Sequence, residues 1–216
     1  MSVTFGAHDR RVNKGLFDSG ADRFRAVEAR MGNVIASLFV TLDGVMEGPG
    51  PHDPFPRAGW SMPFWNDQIA QLKREELFAA DAILLGRHTY RGFAATWPNA
   101  TDDQGFADRM NSIPKWVVSK QLERVDWSGS QLLRGDLATE VRRLKQLLRN
   151  DILIAGSRQV IYSLMPYDII DEYRLLVYPV VLGAGNKLFE NVRLQLQLRE
   201  SRQLGEVTLM RLFRRT

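Results

Sequence analysis

The sequence predicts an α/β fold with a mostly parallel central sheet, helices on both faces and antiparallel strands added at the end. Three observations predict it. Residues 34–40, 82–85 and 152–155 are short, nearly unbroken apolar runs, as in strands covered on both faces. Between such runs the apolar residues recur at helical spacing, most cleanly at Leu137, Val141, Leu144, Leu147 and Leu148. At the C-terminal end the period changes to two: Leu194, Leu196 and Leu198 alternate with glutamines, and Gly205-Glu206 separates them from 207–213, which reads as a hairpin.

Residues 1–30 are polar and charged, without the apolar stretch of a secretory signal. A flexible N-terminal extension over 1–31 is expected, followed by one folded domain over 32–216; Met31 is a candidate true start, with the leader before it an upstream extension. The first strand, 34–40, ends at Thr41-Leu42-Asp43-Gly44. The stretch from Glu47 to Pro63 is too rich in proline and glycine to be regular, and a loop of that length inside a domain is usually functional. Its aromatics, Phe55 and Trp60, argue against simple disorder. Pro63 opens a helix to about Ala79, with Trp65, Ile69 and Leu72 on its apolar stripe. A strand at 82–85 leads into a helix to about Ala95, and 104–111 forms a short helix. Strands follow at 115–119 and 131–133. Asp136 caps the helix through Leu148, the strand at 152–155 follows, and Ser157 caps a helix that Pro166 ends. The strand at 174–182 runs into Gly183-Ala184-Gly185.

Composition narrows the function. The chain of 216 residues has no cysteine, which removes disulfides, thiolate nucleophiles and cysteine-based zinc sites. A net charge of +4 is too mild for the dense basic stripe of a nucleic-acid binder, so no nucleic-acid partner is expected. No apolar run is long enough for a membrane span. The expected setting is cytoplasmic. A homodimer through the exposed C-terminal strands is possible.

The stretch 82–90 is an apolar strand that stops at Gly86 and turns at once into a helix at Arg87, His88 and Thr89. Such a turn presents free N–H groups and the positive end of the helix dipole, and Arg87 adds a permanent charge. Ala155, Gly156, Ser157, Arg158 and Gln159 repeat the design. One such glycine often serves turn geometry alone; two point to a ligand with phosphate groups. Ser119 and Lys120, at another strand end, offer a hydroxyl and an ammonium, although a lysine there is commonly just solvated. Gly183 and Gly185 do not complete a dinucleotide fingerprint, and no Walker motif is present. Asp67, between Trp65 and Ile69, could hold an aminopyrimidine-like ring by paired hydrogen bonds; the plain alternative is an acid favoured by the helix dipole. Asp43 before Gly44 is a second candidate acid, or simply a turn former. With no triad and no metal cluster in view, hydride transfer fits, because its cofactor carries the hard chemistry.

Five segments in this order and spacing carry a resemblance: Ser37 to Gly44 (SLFVTLDG), Ala82 to Tyr90 (AILLGRHTY), Trp116 to Lys120 (WVVSK), Ile154 to Gln159 (IAGSRQ) and Tyr178 to Phe189 (YPVVLGAGNKLF). Across about 32–214 the chain resembles the dihydrofolate reductase-like superfamily, in the branch related to the C-terminal reductase domain of bacterial riboflavin biosynthesis. The resemblance implies a three-layer reductase that uses NADPH to reduce a C=N or C=O bond of a small pteridine- or pyrimidine-like substrate. It implies that Gly86, Arg87, His88 and Thr89 hold phosphates and that Ser119 and Lys120 lie near the adenosine end. Residues 155–159 would face the pyrophosphate and nicotinamide. The loop 44–62 would be a mobile lid and Asp67 the substrate-gripping acid. Beside the resemblance, Trp60 and Phe64 are expected on the substrate with Asp67, and Asp67 and Asp43 are the candidate catalytic acids. The lid lacks the glycine-leucine-proline-tryptophan run typical of true dihydrofolate reductases, so folate is not implied. The alternative is a nucleotide- or pterin-binding protein without turnover on the same fold.

Overall fold

A computed structural model of the chain describes residues 31–51 and 53–215. Its strands are β1 (Val34–Thr41), β2 (Ala80–Gly86), β3 (Lys115–Val118), β4 (Ser130–Leu133), β5 (Asp151–Ala155), β6 (Glu172–Tyr178), β7 (Leu196–Leu204) and β8 (Val207–Arg214). They form one sheet in the order β4-β3-β2-β5-β1-β6-β8-β7. The first six run parallel; β8 pairs antiparallel with β6, and β7 antiparallel with β8. The helices are α1 (Asp67–Ala79), α2 (Arg87–Thr96), α3 (Phe106–Ser112), α4 (Leu137–Leu147) and α5 (Arg158–Leu164). The predicted fold class is the observed one.

The apolar runs explain the layering. In β1, Val34, Ala36, Leu38 and Val40 pack with Val141 and Leu144 of α4 and Val160, Ile161 and Leu164 of α5. The next residue over, Ile35, faces the other way, into a core with Leu77 of α1, Tyr90 of α2 and Met110 of α3. Strand alternation therefore feeds both helix layers at once, which is why β1 reads as apolar throughout. From β1 the chain walks outward to β4, then returns to insert β5 between β2 and β1. Right-handed crossovers in opposite directions place α1–α3 on one face and α4 on the other. The adjacent parallel strands β2 and β5 thus send α2 and α5 to opposite faces. The strands' carboxyl ends at this switch point are the place where such sheets bind ligands.

Several expectations need correction. Pro63 opens only a 3-10 turn, Met62–Phe64. The helix starts at Asp67 because Asn66 caps it, its side chain accepting from the N–H groups of Gln68 and Ile69 at 3.0 and 3.1 Å. Trp65 consequently stands outside the helix and is 47% exposed, while Ile69 and Leu72 are buried as expected. Strand β6 stops at Tyr178 instead of Leu182, because Pro179 has no N–H for the ladder. The expected N-terminal extension, but for Met31, lies outside the described residues.

Two buried polar features escaped the hydrophobic pattern. Beneath α1, Glu76 accepts from Ser37 Oγ (2.8 Å) and Lys73 Nζ (2.6 Å), and Arg174 of β6 bridges Glu76 to Glu172. Burial alone would raise the carboxyl of Glu172, but hydrogen bonds from Arg211 and Arg174 bring it below its usual value. Farther along the sheet, fully buried Lys115 donates to the carbonyls of Asn111, Ile113 and Ser128 and lies over the Trp127 ring. Among the described residues no helix is long and apolar enough to cross a membrane, and no acid or histidine cluster could hold a metal ion.

Candidate active site

The six parallel strands end on one rim of the sheet, at Thr41, Gly86, Val118, Leu133, Ala155 and Tyr178. The predicted site residues follow those ends directly or come from the segment that joins β1 to α1. The rim has two halves of different construction.

In the first half the turns after β2 and β5 are laced together by hydroxyls. The N–H of Gly86 donates to Ser157 Oγ at 2.9 Å, and the N–H of Ser157 donates to Thr89 Oγ1 at 3.1 Å. Ser157 Oγ in turn donates to the carbonyl of Ala155 at 3.1 Å. Ser157 therefore does not cap α5 with its side chain as expected; the hydroxyl reaches across to β2, and the residue adopts a left-handed φ of 59° to do so. Gly156 is needed for the same contact: its φ is 57°, and a Cβ there would come within 3.3 Å of Thr89 Oγ1.

Helix α2 starts at Arg87 without a side-chain cap, so no capping side chain claims its first-turn N–H groups. Arg87 is half-buried, bonded to Gln121 Oε1 and 3.3 Å from His88 Nε2, and His88 itself is exposed. Gln121 belongs to a tight turn in which Ser119 Oγ accepts from the N–H groups of Gln121 (3.1 Å) and Leu122 (3.0 Å). That turn joins Arg87 to a cleft of about 580 Å³ at the ends of β3 and β4, lined by Ser119, Lys120, Arg134, Asp136, Ser163 and Tyr167. Arg134 was missed by sequence reading; its guanidinium donates to the carbonyls of Ser119 and Leu122, and no motif marks it. Arg158 is diverted. Its Nε donates to the carbonyl of Lys187 (2.6 Å), its Nη2 to Glu190 (2.9 Å), and it covers the Tyr162 ring. Gln159 is exposed at the first turn of α5.

The second half is built by two loops clamped to each other, 42–61 after β1 and 179–188 after β6. Asp43 accepts from Thr41 Oγ1 (2.5 Å) and from the N–H groups of Gly183 (2.7 Å) and Leu182 (3.2 Å). The Thr41 hydroxyl and then those amides outweigh the effect of burial and hold its carboxyl down at about 2. It is an ionised strut. Glu47 accepts from both the backbone and the side-chain amide of Asn186 (2.8 and 2.7 Å), and Val45 bridges Lys187. At Gly185 a Cβ would fall 2.7 Å from Val45 Cγ1 and 3.0 Å from the Phe55 ring, so the loops close only over glycine.

Inside this half, Trp60 donates its indole N–H to the carbonyl of Glu47 (2.8 Å) and packs edge-on to Tyr178, as does Phe64. Asp67 is exposed at the head of α1. Of the carboxylates between 42 and 67, Asp43, Glu47 and Asp53 accept backbone hydrogen bonds, whereas Asp67 makes no hydrogen bond or ion pair among the described residues. The structure thus brings Gly86, Arg87, Thr89, Gly156, Ser157 and Ser119 into one bonded assembly, gathers Trp60 and Phe64 around Tyr178, and leaves Asp67 unbonded.

The chain was compared with known proteins on these grounds. The uncharacterized protein YyaP of Bacillus subtilis (strain 168) is 28% identical over 169 residues, covering 77% of this chain and 85% of that protein. Among solved structures, a putative riboflavin biosynthesis protein from Shewanella sp. PV-4 superposes with a TM-score of 0.63 at 19% identity, covering 85% of this chain and 99% of the other. A dihydrofolate reductase from Enterococcus faecalis, complexed with NADP(H), superposes with a TM-score of 0.56 at 13% identity, covering 86% and 98%. At such identities the two structures speak for the fold. The model of the RibD C-terminal domain matches residues 33–210, nearly the whole described chain, and the protein belongs to that family.

Proposed function

We propose that this protein is an NADPH-dependent reductase that delivers a hydride to a C=N or C=O bond of a small pteridine- or pyrimidine-like heterocycle. The observation that carries the reading is the switch point between β2 and β5, where α2 and α5 depart to opposite faces and Arg87 stands at the uncapped start of α2. An anionic pyrophosphate is matched there by N–H groups, helix dipole and guanidinium together. The cleft beyond Gln121, with Lys120 and Arg134 on its walls, has the size and charge for a phosphorylated adenosine. Membership of the RibD C-terminal domain family and the fold shared with an NADP(H)-bound reductase support the same cofactor.

When bound, the dinucleotide supplies the hydride. The chain's own residues would do the rest. Gly86, Arg87, His88 and Thr89 anchor phosphate. Gly156 and Ser157 close the turn on the other side, Ala155 and Gln159 border it, and Arg158 fixes the loop at 187–190. Trp60 and Phe64 hold the substrate ring and exclude water, so that proximity supplies most of the rate. Asp67, the unbonded acid of the segment, or a water polarised beside it supplies the proton to the atom left electron-rich when the C=N or C=O bond is reduced. Asp43 serves by fixing the loops that shape the slot.

The test is NADPH oxidation by the purified chain against a panel of pteridines and aminopyrimidines. Turnover on any member establishes the reductase. NADPH binding without turnover favours a nucleotide- or pterin-binding protein on this fold, and absence of NADPH binding sinks both the cofactor and the activity.

A further inference from the structure

Tyr178, the last residue of β6, is fully buried, and its hydroxyl has no hydrogen-bond partner among the described residues. An unpaired buried hydroxyl destabilises the protein, and phenylalanine in its place would pack the same ring without that penalty. The other unpaired buried hydroxyl, Ser130 Oγ, sits at the start of β4, on the opposite edge of the sheet from the strand ends. Tyr178 instead stands on the rim, in register with Thr41 of β1, and packs in the core cluster that includes Ile69 and Leu72 of α1. Its ring is walled by Phe39 at 5.3 Å, Trp60 at 5.2 Å and Phe64 at 5.9 Å between centroids. Two of those walls, Trp60 and Phe64, belong to the segment between β1 and α1, and the Trp60 indole donates within that segment, to the carbonyl of Glu47. Burial pushes the phenol's pKa up, so the group stays a proton-bearing donor.

We propose that the Tyr178 hydroxyl is a substrate-binding donor, reached by a planar nitrogen heterocycle that takes the place of the Trp60 or Phe64 ring against Tyr178. A ring nitrogen or carbonyl oxygen accepts the hydrogen bond that the protein leaves unmade, and Phe39 and the remaining lid aromatic stack on the ring. This makes Tyr178 a specificity residue: a flat ring without an acceptor edge would fill the slot and leave the hydroxyl unpaired. The assignment rests on the reductase reading of the same rim and identifies the group that reads the heterocycle.

The experiment compares the wild-type chain with Tyr178→Phe, using lumazine as the probe in the presence of saturating NADPH, with affinity followed by tryptophan fluorescence. Tyr178→Phe is expected to bind NADPH unchanged, to melt at the same temperature or higher, and to bind lumazine about tenfold more weakly. Equal lumazine affinity for the two proteins overturns the assignment while leaving the reductase reading intact. So does a wild-type chain that binds NADPH but not lumazine, or a clear drop in the melting temperature of Tyr178→Phe, which would mean the hydroxyl is bonded within the fold. A wild-type chain that binds no NADPH overturns both readings.

Discussion

The two halves of the rim solve different problems with different bonds. Around β2 and β5 the turns are held by neutral hydroxyls, Ser157 and Thr89, while the permanent charge of Arg87 is bonded only to the amide of Gln121 and the ring of its neighbour His88. Around β1 and β6 the order is reversed: the charges of Asp43 and Glu47 are consumed in holding one loop against the other. On the proposed reading, the first half keeps a charge available for an anionic ligand and lets weaker groups set its shape, while the second uses charge as structure and presents aromatics to a flat, largely neutral ring. The difference predicts that mutations in one half change cofactor affinity, and those in the other change stability or turnover.

The largest effect is expected at the one carboxylate of the second half that is not structural. Asp67→Asn should lower turnover by about a hundredfold, the usual scale for loss of a general acid, with stability changed by no more than about 0.5 kcal/mol. A variant that keeps full turnover would assign the proton to solvent and reduce Asp67 to a surface acid at a helix start. Next is Asp43→Ala, which removes charged acceptors from two backbone N–H groups and should cost about 2–3 kcal/mol in urea unfolding, with faster proteolysis within 42–61. The same strut has a pH signature. Its carboxyl is depressed from the usual 3.8 to about 2, so its contribution is complete above the usual value and disappears as pH falls through that interval. In Asp43→Asn that part of the acid dependence should flatten; an unchanged acid limb would show that the clamp adds nothing.

What was legible in the sequence follows the same division. The turn at Gly86-Arg87-His88-Thr89 is a local feature, strand then glycine then helix, and the sequence displays it whole. The partners that complete it are remote. Ser157 bonds to Gly86 across 71 positions, and Asp43 to Gly183 across 140, so neither contact leaves a trace in a window of sequence. The nearest local explanations of Ser157 and Asp43, a helix cap and a turn former, describe neither bond fully. Glu76 and Arg174 fail for a related reason: a charge in an amphipathic pattern reads as outward, and only a partner from another element makes it an interior residue. Arg158 shows the converse. A cation beside an anion-type turn reads as a ligand for that anion, and no window of sequence shows the bonds that Arg158 makes to the loop at 187–190.

In the first half the effects should be smaller and of another kind. Arg87→Ala should weaken NADPH about tenfold at low salt, with the difference shrinking as salt is raised and the melting temperature unchanged, since the side chain has no buried partner. An affinity that does not move would place the phosphates elsewhere.

The smallest predicted effect tests whether the hydroxyl lacing shapes this half at all. Ser157→Ala leaves the N–H of Gly86 without its acceptor and keeps an L side chain at a φ of 59°, so a loss of about 1 kcal/mol is expected in thermal unfolding. Ser157→Gly loses the same bond but relieves the left-handed backbone, and should recover part of that loss. The ordering serine, glycine, alanine, from most to least stable, would show that hydrogen bond and backbone strain act separately at this turn. If alanine and serine melt together, the bond across the switch point is dispensable and the two turns are held by their strands alone.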